Sequence, residues 1–304
     1  MPKVSVIVPI YGVENYIRRC AESLFNQTLE DIEFIFVNDC TKDKSIDILN
    51  ECIIKYPKLK NKIKIIHHKE NRGLPQARKT GYINSTGEYI AYCDGDDWTE
   101  KGMYQQMYEK AVSEKADLVI CGYYTSDGKS NKIYDISETN GLLMGPVWNK
   151  LIKRQLFETD IEFPIANKAE DGAIMMQLSY YSKKRAYIHN PFYYYYSNPT
   201  SICRLLDEDS CISKMKQECE NVEFRLDFLK RKGEIYKYYK DIIKWKFEAR
   251  NNLVPCIAQK HIFDLWNKTY PEIGGQILKS GNCRIIIKYF LLKLRLFPII
   301  KYIR

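Results

Sequence analysis

Hydrophobic positions in the first 122 residues follow two alternating patterns. Continuous apolar runs at 4–9 and 32–37 are typical of strands that are buried on both faces of a sheet. Between these runs, apolar residues from Val13 to Phe25 recur at helical spacing. The alternation continues with strands predicted at 62–67, 89–93 and 118–122, and with helices at 46–53, 75–84 and from an N-cap at Thr99. This order predicts an α/β fold with a mostly parallel central sheet flanked by helices.

The pattern changes after Gly122. We predict a short strand at 131–136, helices at 147–157 and 172–181, and a strand at 186–196. From Asp209 nearly to the last residue, the apolar spacing is helical, which predicts a C-terminal helical extension. No apolar run reaches the length of about 18 residues that a membrane-spanning helix needs, so none is predicted.

The most distinctive polar cluster follows the fourth predicted strand and reads Asp94-Gly95-Asp96-Asp97-Trp98. In open α/β sheets, ligands bind at the carboxyl ends of the strands, so this loop is a candidate site. Two carboxylates separated by a glycine offer the hard oxygen ligands that suit Mg²⁺ or Mn²⁺. Phosphates of the substrate usually complete the coordination of these ions. The residues alone leave a second interpretation open, a solvated Asp-rich turn that caps the following helix.

Other polar residues are expected at the same edge of the sheet. Asp39 ends the second strand, Glu14 follows the first, and Arg78 lies on the helix after the third. Each also has an ordinary structural explanation, as a turn former, a charge in the first turn of a helix, and a surface arginine. An arginine beside a carboxylate-rich cleft suits a diphosphate. The acidic pair Glu170-Asp171 precedes an apolar run at 173–178, and Asp171 is either a helix N-cap or a general base.

The absence of two common motifs argues against two classes of enzyme. The first strand is not followed by G-x-G-x-x-G, and no G-x-x-x-x-G-K-[ST] occurs, which argues against a dinucleotide-binding oxidoreductase and a P-loop enzyme. The four histidines lack metal-ligand spacing and are interpreted as structural. The ten cysteines form no C-x-x-C pair and no secretory signal precedes them, so we expect a reduced, cytoplasmic compartment.

Charge is distributed unevenly along the chain. The 304 residues contain 47 Lys and Arg against 38 Asp and Glu, a formal net charge of +9. No acidic residue follows Glu272, whereas seven basic residues lie between Lys279 and Arg304. The rest of the chain is nearly neutral, which argues against a nucleic-acid partner. Residues 284–297 have an amphipathic pattern, which fits either a helix on an anionic membrane surface or a terminal helix that packs its apolar face on the catalytic domain.

Taken in order, several motifs resemble those of family-2 glycosyltransferases with the GT-A fold. They are VSVIVPIYGVENYIRRCAESLFNQT, FVNDCTKDKS, ENRGLPQARKTG, GEYIAYCDGDDW, WNKLIKRQLF, and AEDGAIMMQL with YYYYSNPTSI, and they cover residues 4 to about 204. The resemblance implies metal-dependent, inverting transfer of a sugar from a nucleoside diphosphate sugar, UDP-linked, to a hydroxyl of a saccharide acceptor. It also implies surface polysaccharide or oligosaccharide synthesis on a lipid-linked acceptor, with the enzyme peripheral on the inner face of the cell membrane.

The resemblance implies roles for individual residues. Asp96 matches the metal-binding position, for which Mn²⁺ or Mg²⁺ is the implied cofactor, and Asp97 is implied to support the same loop. Asp171 matches the general base of the family's Glu-Asp motif. Asp39 is implied to face the nucleotide base. The implied nucleotide-sugar pocket comprises Pro9, Tyr11, Glu14, Asp39, Asn71, Arg78, Asp94, Trp148 and Lys150.

On this resemblance, the chain has three parts. We expect residues 1–98 to form the nucleotide-sugar-binding half and residues 99–205 the acceptor-binding half of one GT-A domain. Residues 206–304 are expected to form the helical C-terminal region, which ends in the basic amphipathic tail. The chain departs from the family pattern at Asn38-Asp39-Cys40-Thr41, where many members have Asp-Asp-Gly-Ser. This departure leaves the identity of the nucleotide open.

Two rival functions are weighed against the transferase. A sugar-phosphate nucleotidyltransferase would require a glycine-rich basic loop after the first strand, and Tyr11-Gly12-Val13-Glu14 is not one. A non-catalytic sugar-nucleotide-binding protein would be expected to have a degenerate site, whereas Asp39, Asp94, Asp96 and Asp171 are all present.

Overall fold

The computed structural model describes residues 1–139, 141–198 and 204–297. The chain forms two compact units. The first contains residues 1–167 and 174–198, and the second contains residues 168–173 together with the chain beyond residue 198. Parts of two earlier predictions lie outside the described residues, namely the end of the YYYYSNPTSI motif and the last seven residues of the basic tail.

The first unit is built on a nine-stranded sheet. Its strands are β1 (Val4–Ile10), β2 (Ile32–Asn38), β3 (Ile63–His67), β4 (Tyr89–Tyr92), β5 (Trp98–Thr99), β6 (Leu118–Ser126), β7 (Asn131–Tyr134), β8 (Lys150–Lys153) and β9 (Arg185–Tyr196). The helices between them are α1 (Ile17–Phe25), α2 (Ser45–Ile54), α3 (Leu74–Ile83), α4 (Met103–Glu114) and α5 (Glu170–Tyr181), whose first turn belongs to the second unit.

The sheet has a parallel half and a mixed half. Strands follow the order β3-β2-β1-β4-β8-β6-β9-β5, with β7 added to β6. The β3, β2, β1 and β4 strands are parallel, as expected when a helix connects each strand to the next. Strand β8 runs antiparallel to both β4 and β6, and β6 pairs in parallel with β9. Every residue of β1 is buried, in agreement with its unbroken apolar sequence.

Two local predictions are wrong. Residues 147–157 were predicted as a helix but form β8 and a short 3₁₀ turn at Arg154–Leu156, because pairing with β4 and β6 overrides the local pattern of a short apolar run. Thr99 was predicted as a helix N-cap but is the last residue of β5, where its backbone N–H donates to the Ser23 hydroxyl at 3.2 Å. The following helix, α4, begins at Met103.

The second unit is helical, as predicted from residue 209 onward. Its helices are α6 (Glu208–Arg231), α7 (Tyr239–Asn251), α8 (Lys260–Lys268), α9 (Ile273–Gln276) and α10 (Cys283–Lys293). They enclose a core around Trp266, against which the buried Arg250 guanidinium stacks at 3.6 Å from the ring centroid. Within the described parts of the chain, no helix is both long enough and apolar enough to span a bilayer.

Candidate functional site

The polar loops after β1, β2 and β4 lie at one edge of the sheet because these strands are parallel neighbours. Pro9 is buried near the end of β1, paired with Val37 in β2. Tyr11 follows at the tip of the first loop with half of its surface exposed. The predicted edge site is therefore present as an arrangement of loops.

The first two loops are tied together by side-chain hydrogen bonds. The Gly12 N–H donates to the Thr41 hydroxyl at 2.9 Å, and the Glu14 N–H donates to Asp43 Oδ2 at 2.9 Å. The Glu14 carboxylate in turn accepts from the Lys44 N–H at 3.0 Å. Glu14 thus holds the loop after β2 in this structure, rather than only favouring its own helix.

Asp43 is the centre of this connection. Its Oδ1 accepts from the Ser45 hydroxyl at 2.6 Å and from the Thr41 hydroxyl at 2.7 Å. Burial alone would raise the pKa of the Asp43 carboxyl, but the donors Ser45 and Thr41 outweigh burial and the pKa is lowered. Asp43 is therefore an ionised anchor for both loops.

Asp39 lies directly after β2 and is almost fully buried. Its Oδ1 is 2.7 Å from His68 Nδ1 and accepts from the Arg72 N–H at 2.8 Å. Its Oδ2 accepts from the Gly73 N–H at 2.8 Å. Gly73 has φ +85°, and an added Cβ would lie 2.5 Å from the Asn167 side chain, so this position requires glycine. The Asp39 carboxylate thus shapes the loop that precedes α3.

The same loop carries Asn71, the next residue predicted for the pocket. Asn71 is exposed, and its Oδ1 accepts from the Gly73 N–H at 3.2 Å. The imidazole of His68 also reaches Thr80 on α3, with 2.9 Å between Nε2 and Oγ1. Asp39 and Asn71 both accept from the Gly73 N–H, so they hold the same short segment of backbone.

Asp94, the first carboxylate of the loop after β4, is paired with Arg78. The Arg78 guanidinium donates to Asp94 Oδ1 at 2.9 Å, and Arg78 is buried while the Asp94 side chain is one-quarter exposed. The Tyr92 ring lies 5.7 Å from the guanidinium carbon. Arg78 is therefore a buried partner of the acidic loop and not a surface arginine.

Asp96 is partly buried, and its carboxylate accepts from the Asn198 amide at 3.1 Å. Asn198 is itself contacted by the Tyr16 hydroxyl, which donates at 3.3 Å. Burial raises the pKa of the Asp96 carboxyl, against the opposing effects of Asn198 and Arg19. Asp96 therefore carries a charge that its protein surroundings compensate incompletely.

Arg19 of α1 holds the backbone of the loop after β4. Its guanidinium donates to the Asp96 carbonyl at 3.0 Å and stacks on Trp98 at 3.6 Å from the ring centroid. The Tyr196 ring lies 4.8 Å away. Burial lowers the pKa of Arg19, although nearby Tyr196 and Asp97 oppose that effect.

Asp97 is buried beneath the loop, in the position expected of a supporting residue. It accepts from the Tyr193 hydroxyl at 2.6 Å and from the Tyr196 N–H at 2.7 Å. Burial, followed by repulsion from Asp96 and Asp94, raises the pKa of Asp97 well above its usual range. The Tyr193 hydroxyl also accepts from the Asp94 N–H at 3.0 Å, so β9 holds both ends of the acidic sequence.

Lys150 is the first residue of β8, Trp148 lies two residues before it, and both side chains are buried. The Trp148 ring stacks on Tyr193, with ring centroids 4.4 Å apart and 13° between the planes. The Lys150 ammonium donates to the Pro146 carbonyl and to the Asn149 side chain. In this structure Trp148 is joined to the acidic loop through Tyr193, and Lys150 is engaged by its own segment.

Asp171 lies in the first turn of α5, within the second compact unit. The residues before it are held by α6, since Asn221 donates to the Lys168 carbonyl at 2.7 Å and Arg225 donates to the Ala169 carbonyl at 3.3 Å. Ala169 has φ +61°, a left-handed conformation that is unfavourable for a residue with a Cβ. The segment leading into Asp171 is therefore held in a defined, strained conformation.

Comparison with protein families agrees with this geometry. Residues 5–182, more than half of the chain, match the model of the family described as Glycosyl transferase family 2. The chain belongs to glycosyl transferase family 2. Most of the residues described above lie within the matched segment, and Tyr193, Tyr196 and Asn198 lie beyond its end.

Relatives in family 2 cover about two thirds of the chain. It is 36% identical over 221 residues to the putative glycosyltransferase EpsH of Bacillus subtilis, and 32% identical over 229 residues to the glycosyltransferase GlyA of Streptococcus pneumoniae. These alignments span 66% and 68% of this chain, but only 62% and 32% of the relatives. The chain thus matches less than two thirds of either relative's length.

Solved structures show the fold. TarS residues 1–349 of S. aureus, in complex with UDP-GlcNAc, is similar with a TM-score of 0.59 at 18% identity, covering 91% of this chain and 92% of that one. The mannosyltransferase PcManGT of Pyrobaculum calidifontis, in complex with GDP-Man and Mn²⁺, has a TM-score of 0.57 at 13% identity, covering 99% and 86%. The GT-A fold that the resemblance implied is confirmed.

The acidic loop fits a divalent cation of the kind used in family 2. In the described parts of the chain, no three His, Cys, Asp or Glu side chains group into a metal site made of protein ligands alone. Mg²⁺ and Mn²⁺ are commonly held by one or two carboxylates and completed by substrate phosphates, which is what Asp94 and Asp96 can offer. Burial raises the pKa of Asp96, so a cation bound nearby would favour its ionised form.

Several residues with clear functions in the site were not singled out from the sequence. They are Arg19, which holds the acidic loop, Asn198 and Tyr193, which contact its carboxylates, and His68, which pairs with Asp39. Arg19, Tyr193 and Asn198 lie within motifs that resemble the family, which was a usable signal. For His68 the sequence offered no signal, because its partner is brought near only by β2–β3 pairing.

Proposed function

We propose that this chain transfers a sugar from a nucleoside diphosphate sugar, UDP-linked, to a hydroxyl group of a saccharide acceptor, with inversion at the anomeric carbon. The observation that carries the proposal is the Asp94–Asp96 loop, held against the buried Arg78 at the carboxyl edge of the parallel strands in a family-2 chain. The similar structure that holds UDP-GlcNAc supports a uridine nucleotide, and the one that holds GDP-Man and Mn²⁺ supports a metal-assisted donor.

The donor is proposed to bind along the three tied loops. Tyr11, which is half exposed after β1, is proposed to stack on the base, and Asp39 and Asn71 are proposed to line the same pocket through the segment at Gly73 that both contact. Arg78 orients Asp94 toward the ribose or sugar. The proposed donor-site residues are Pro9, Tyr11, Glu14, Asp39, Asn71, Arg78, Asp94, Trp148 and Lys150.

Two carboxylates are proposed to serve the chemistry. Asp96 would hold Mn²⁺ or Mg²⁺, which when bound supplies positive charge for the leaving diphosphate. Asp171 would accept the proton of the acceptor hydroxyl as that oxygen attacks the anomeric carbon from the side opposite the diphosphate. Its place at the start of α5, after the strained Ala169, fixes the backbone that carries this base.

The chain is proposed to work at a membrane. We assign donor binding to residues 1–98, acceptor binding to residues 99–205, and membrane contact to the basic tail of the helical region at 206–304. The acceptor is proposed to be lipid-linked, in surface polysaccharide or oligosaccharide synthesis, and the chain to be cytoplasmic and peripheral on the inner face of the membrane. The absence of acidic residues after Glu272 supports this assignment.

The test uses two isosteric variants and a panel of nucleotide sugars. Release of the free nucleotide is measured with Mn²⁺, with Mg²⁺ and in chelator. Asp96→Asn should lower release about 1,000-fold or more, because stabilisation of the leaving diphosphate is lost. Asp171→Asn should abolish transfer yet leave nucleotide binding, measured by calorimetry, within about twofold of the original chain.

The control is Asp227→Asn, which removes an exposed carboxylate paired with Lys230 and should leave both measurements unchanged. Full activity in chelator would exclude the metal-binding role of Asp96. Normal turnover by Asp171→Asn would exclude it as the base. Formation of a sugar nucleotide from a nucleoside triphosphate and a sugar phosphate would instead indicate a nucleotidyltransferase.

A further inference from the structure

Helix α10 is fixed to its own unit by one face. Asn282 caps its start, accepting from the backbone N–H groups of Arg284 and Ile285 at 3.0 and 3.2 Å. Tyr289 and Leu292 are buried in the helical core, where the Tyr289 ring lies 5.9 Å from Trp266. The helix is therefore an ordered part of the second unit.

The opposite face of α10 is apolar and uncovered by the described residues of the chain. Ile287 is 52% exposed, Phe290 45% and Leu294 67%. These positions have the i, i+3, i+7 spacing of a single helical stripe. Leu278 and Leu296, just before and after the helix, are 66% and 40% exposed. Clustered exposure of this kind marks an interaction surface rather than scattered surface apolar residues.

The surroundings of the stripe are positive. Arg284 is exposed one turn before Ile287, and Arg295 lies one position after Leu294. Not every cation is equally accessible, since Lys288 is partly buried and its pKa is lowered by burial, against the attraction of Glu248. No acidic residue occurs anywhere after Glu272.

We propose that the stripe formed by Ile287, Phe290 and Leu294 inserts into the interfacial region of an anionic lipid bilayer while Tyr289 and Leu292 stay packed in the core. One face of α10 then packs within the helical unit, and the other face is left for contact with lipid. Apolar side chains bury in the acyl boundary and the basic residues contact lipid phosphates. This inference deepens the proposed membrane association and rests on it.

Charge argues against a second copy of the chain as the occupant. In a symmetric dimer through this stripe, each Arg284 and Arg295 would face the same positive surface of its partner. Like charges across an interface are unfavourable, and no acidic residue of the tail could relieve them. An anionic lipid surface satisfies both the apolar and the positive character of the stripe.

The test measures co-sedimentation of the full chain with vesicles of equal parts phosphatidylglycerol and phosphatidylcholine, and with phosphatidylcholine alone. The triple variant Ile287→Gln, Phe290→Gln, Leu294→Gln keeps good helix formers in α10. We expect it to bind the anionic vesicles at least 10-fold more weakly than the original chain. Binding by the original chain should fall in high salt and be weaker on phosphatidylcholine alone.

A matched control carries three glutamines at exposed apolar positions of the first unit, Ile54→Gln, Ile83→Gln and Val112→Gln. It should bind the anionic vesicles like the original chain, and circular dichroism should show all three proteins equally folded. Equal vesicle binding by the α10 variant, or none by the original chain, overturns the inference. A concentration-dependent dimer that the α10 variant abolishes also overturns it, in favour of a second copy.

Nucleotide release without vesicles separates this inference from the proposed enzyme function. The α10 variant should release nucleotide from the soluble donor at the original rate. If release is normal and vesicle binding never occurs, only the lipid inference fails. If the original chain releases no nucleotide from any donor yet binds the vesicles, the proposed transferase function fails instead.

Discussion

The loops after β2 and β4 lie at the same edge of one sheet, yet their carboxylates are in opposite situations. Asp39, after β2, is buried and engaged by His68 and by two backbone N–H groups, so both of its oxygens have donors. Asp96, after β4, accepts from the Asn198 amide, and burial raises its pKa. The protein thus compensates the charge of the first carboxylate more fully than the charge of the second.

This difference separates a carboxylate whose partners lie within the protein from one whose ionised form burial disfavours. A buried carboxylate with several donors stabilises the fold, whereas a carboxylate whose pKa burial raises costs stability when it is ionised. The loop after β4 tolerates that cost because Arg78, Arg19 and Tyr193 hold its backbone and flanks. Strain of this kind is commonly concentrated at functional sites.

The largest effect is expected when aspartate is replaced by asparagine in each of the two loops. Asp39→Asn should lower the free energy of unfolding by about 2–3 kcal/mol, because the new amide meets N–H donors and a charge-assisted contact is lost. Asp96→Asn should raise it by about 1 kcal/mol at neutral pH, since a charge that burial disfavours is removed. Both values come from urea unfolding of the metal-free chain.

Opposite signs are the essential outcome of that experiment. If the two variants destabilise equally, Asp96 is as well satisfied by the protein as Asp39, and the contrast between the loops is wrong. Adding Mn²⁺ with UDP should stabilise the original chain but not the Asp96→Asn variant.

The two loops should also differ in how stability depends on pH. The pKa of Asp96 is raised in the folded chain, so its contribution is present below the ordinary aspartate pKa of about 4 and is lost as pH rises through the raised value. The pKa of Asp43 is lowered, so its contribution is present above about 4 and is lost as pH falls through the lowered value.

Unfolding measured between pH 3 and 8 in Asp43→Asn and Asp96→Asn checks these signs. Asp96→Asn should flatten the decline on the alkaline side, and Asp43→Asn the decline on the acid side, each by at most about 1.4 kcal/mol per pH unit. If the stability of the Asp96→Asn variant depends on pH as that of the original chain does, ionisation of Asp96 does not destabilise the folded chain.

Much of this edge was predictable from the sequence because it depends on local order. Buried runs such as those of β1 and β2 specify parallel strands, and parallel strands place Asp39 and Asp94 at one edge. The family and its fold followed from motifs in the expected order, and both are confirmed. The roles of individual site residues stay predictions, because no ligand contact tests them.

The rest depended on contacts between distant parts of the chain. His68 meets Asp39 through strand pairing, and Asn198 reaches Asp96 from a segment 102 residues away. The wrong helix at 147–157 has the same cause, since β8 is specified by its neighbours β4 and β6 and not by its own apolar spacing. Local patterns carry no information on such pairings.

Cys40 provides the finest test of the loop after β2. It has φ +60°, so its Cβ is strained, and its thiol contacts the Lys69 carbonyl only weakly at 3.7 Å. Cys40→Gly should therefore raise the free energy of unfolding by about 0.5–1 kcal/mol, whereas Cys40→Ala, which keeps the Cβ, should not. Thermal unfolding of both variants measures the difference. If Cys40→Ala raises the free energy of unfolding as much as Cys40→Gly does, the strain comes from the thiol and not from the backbone. The backbone of the loop after β2 would then be relaxed at residue 40.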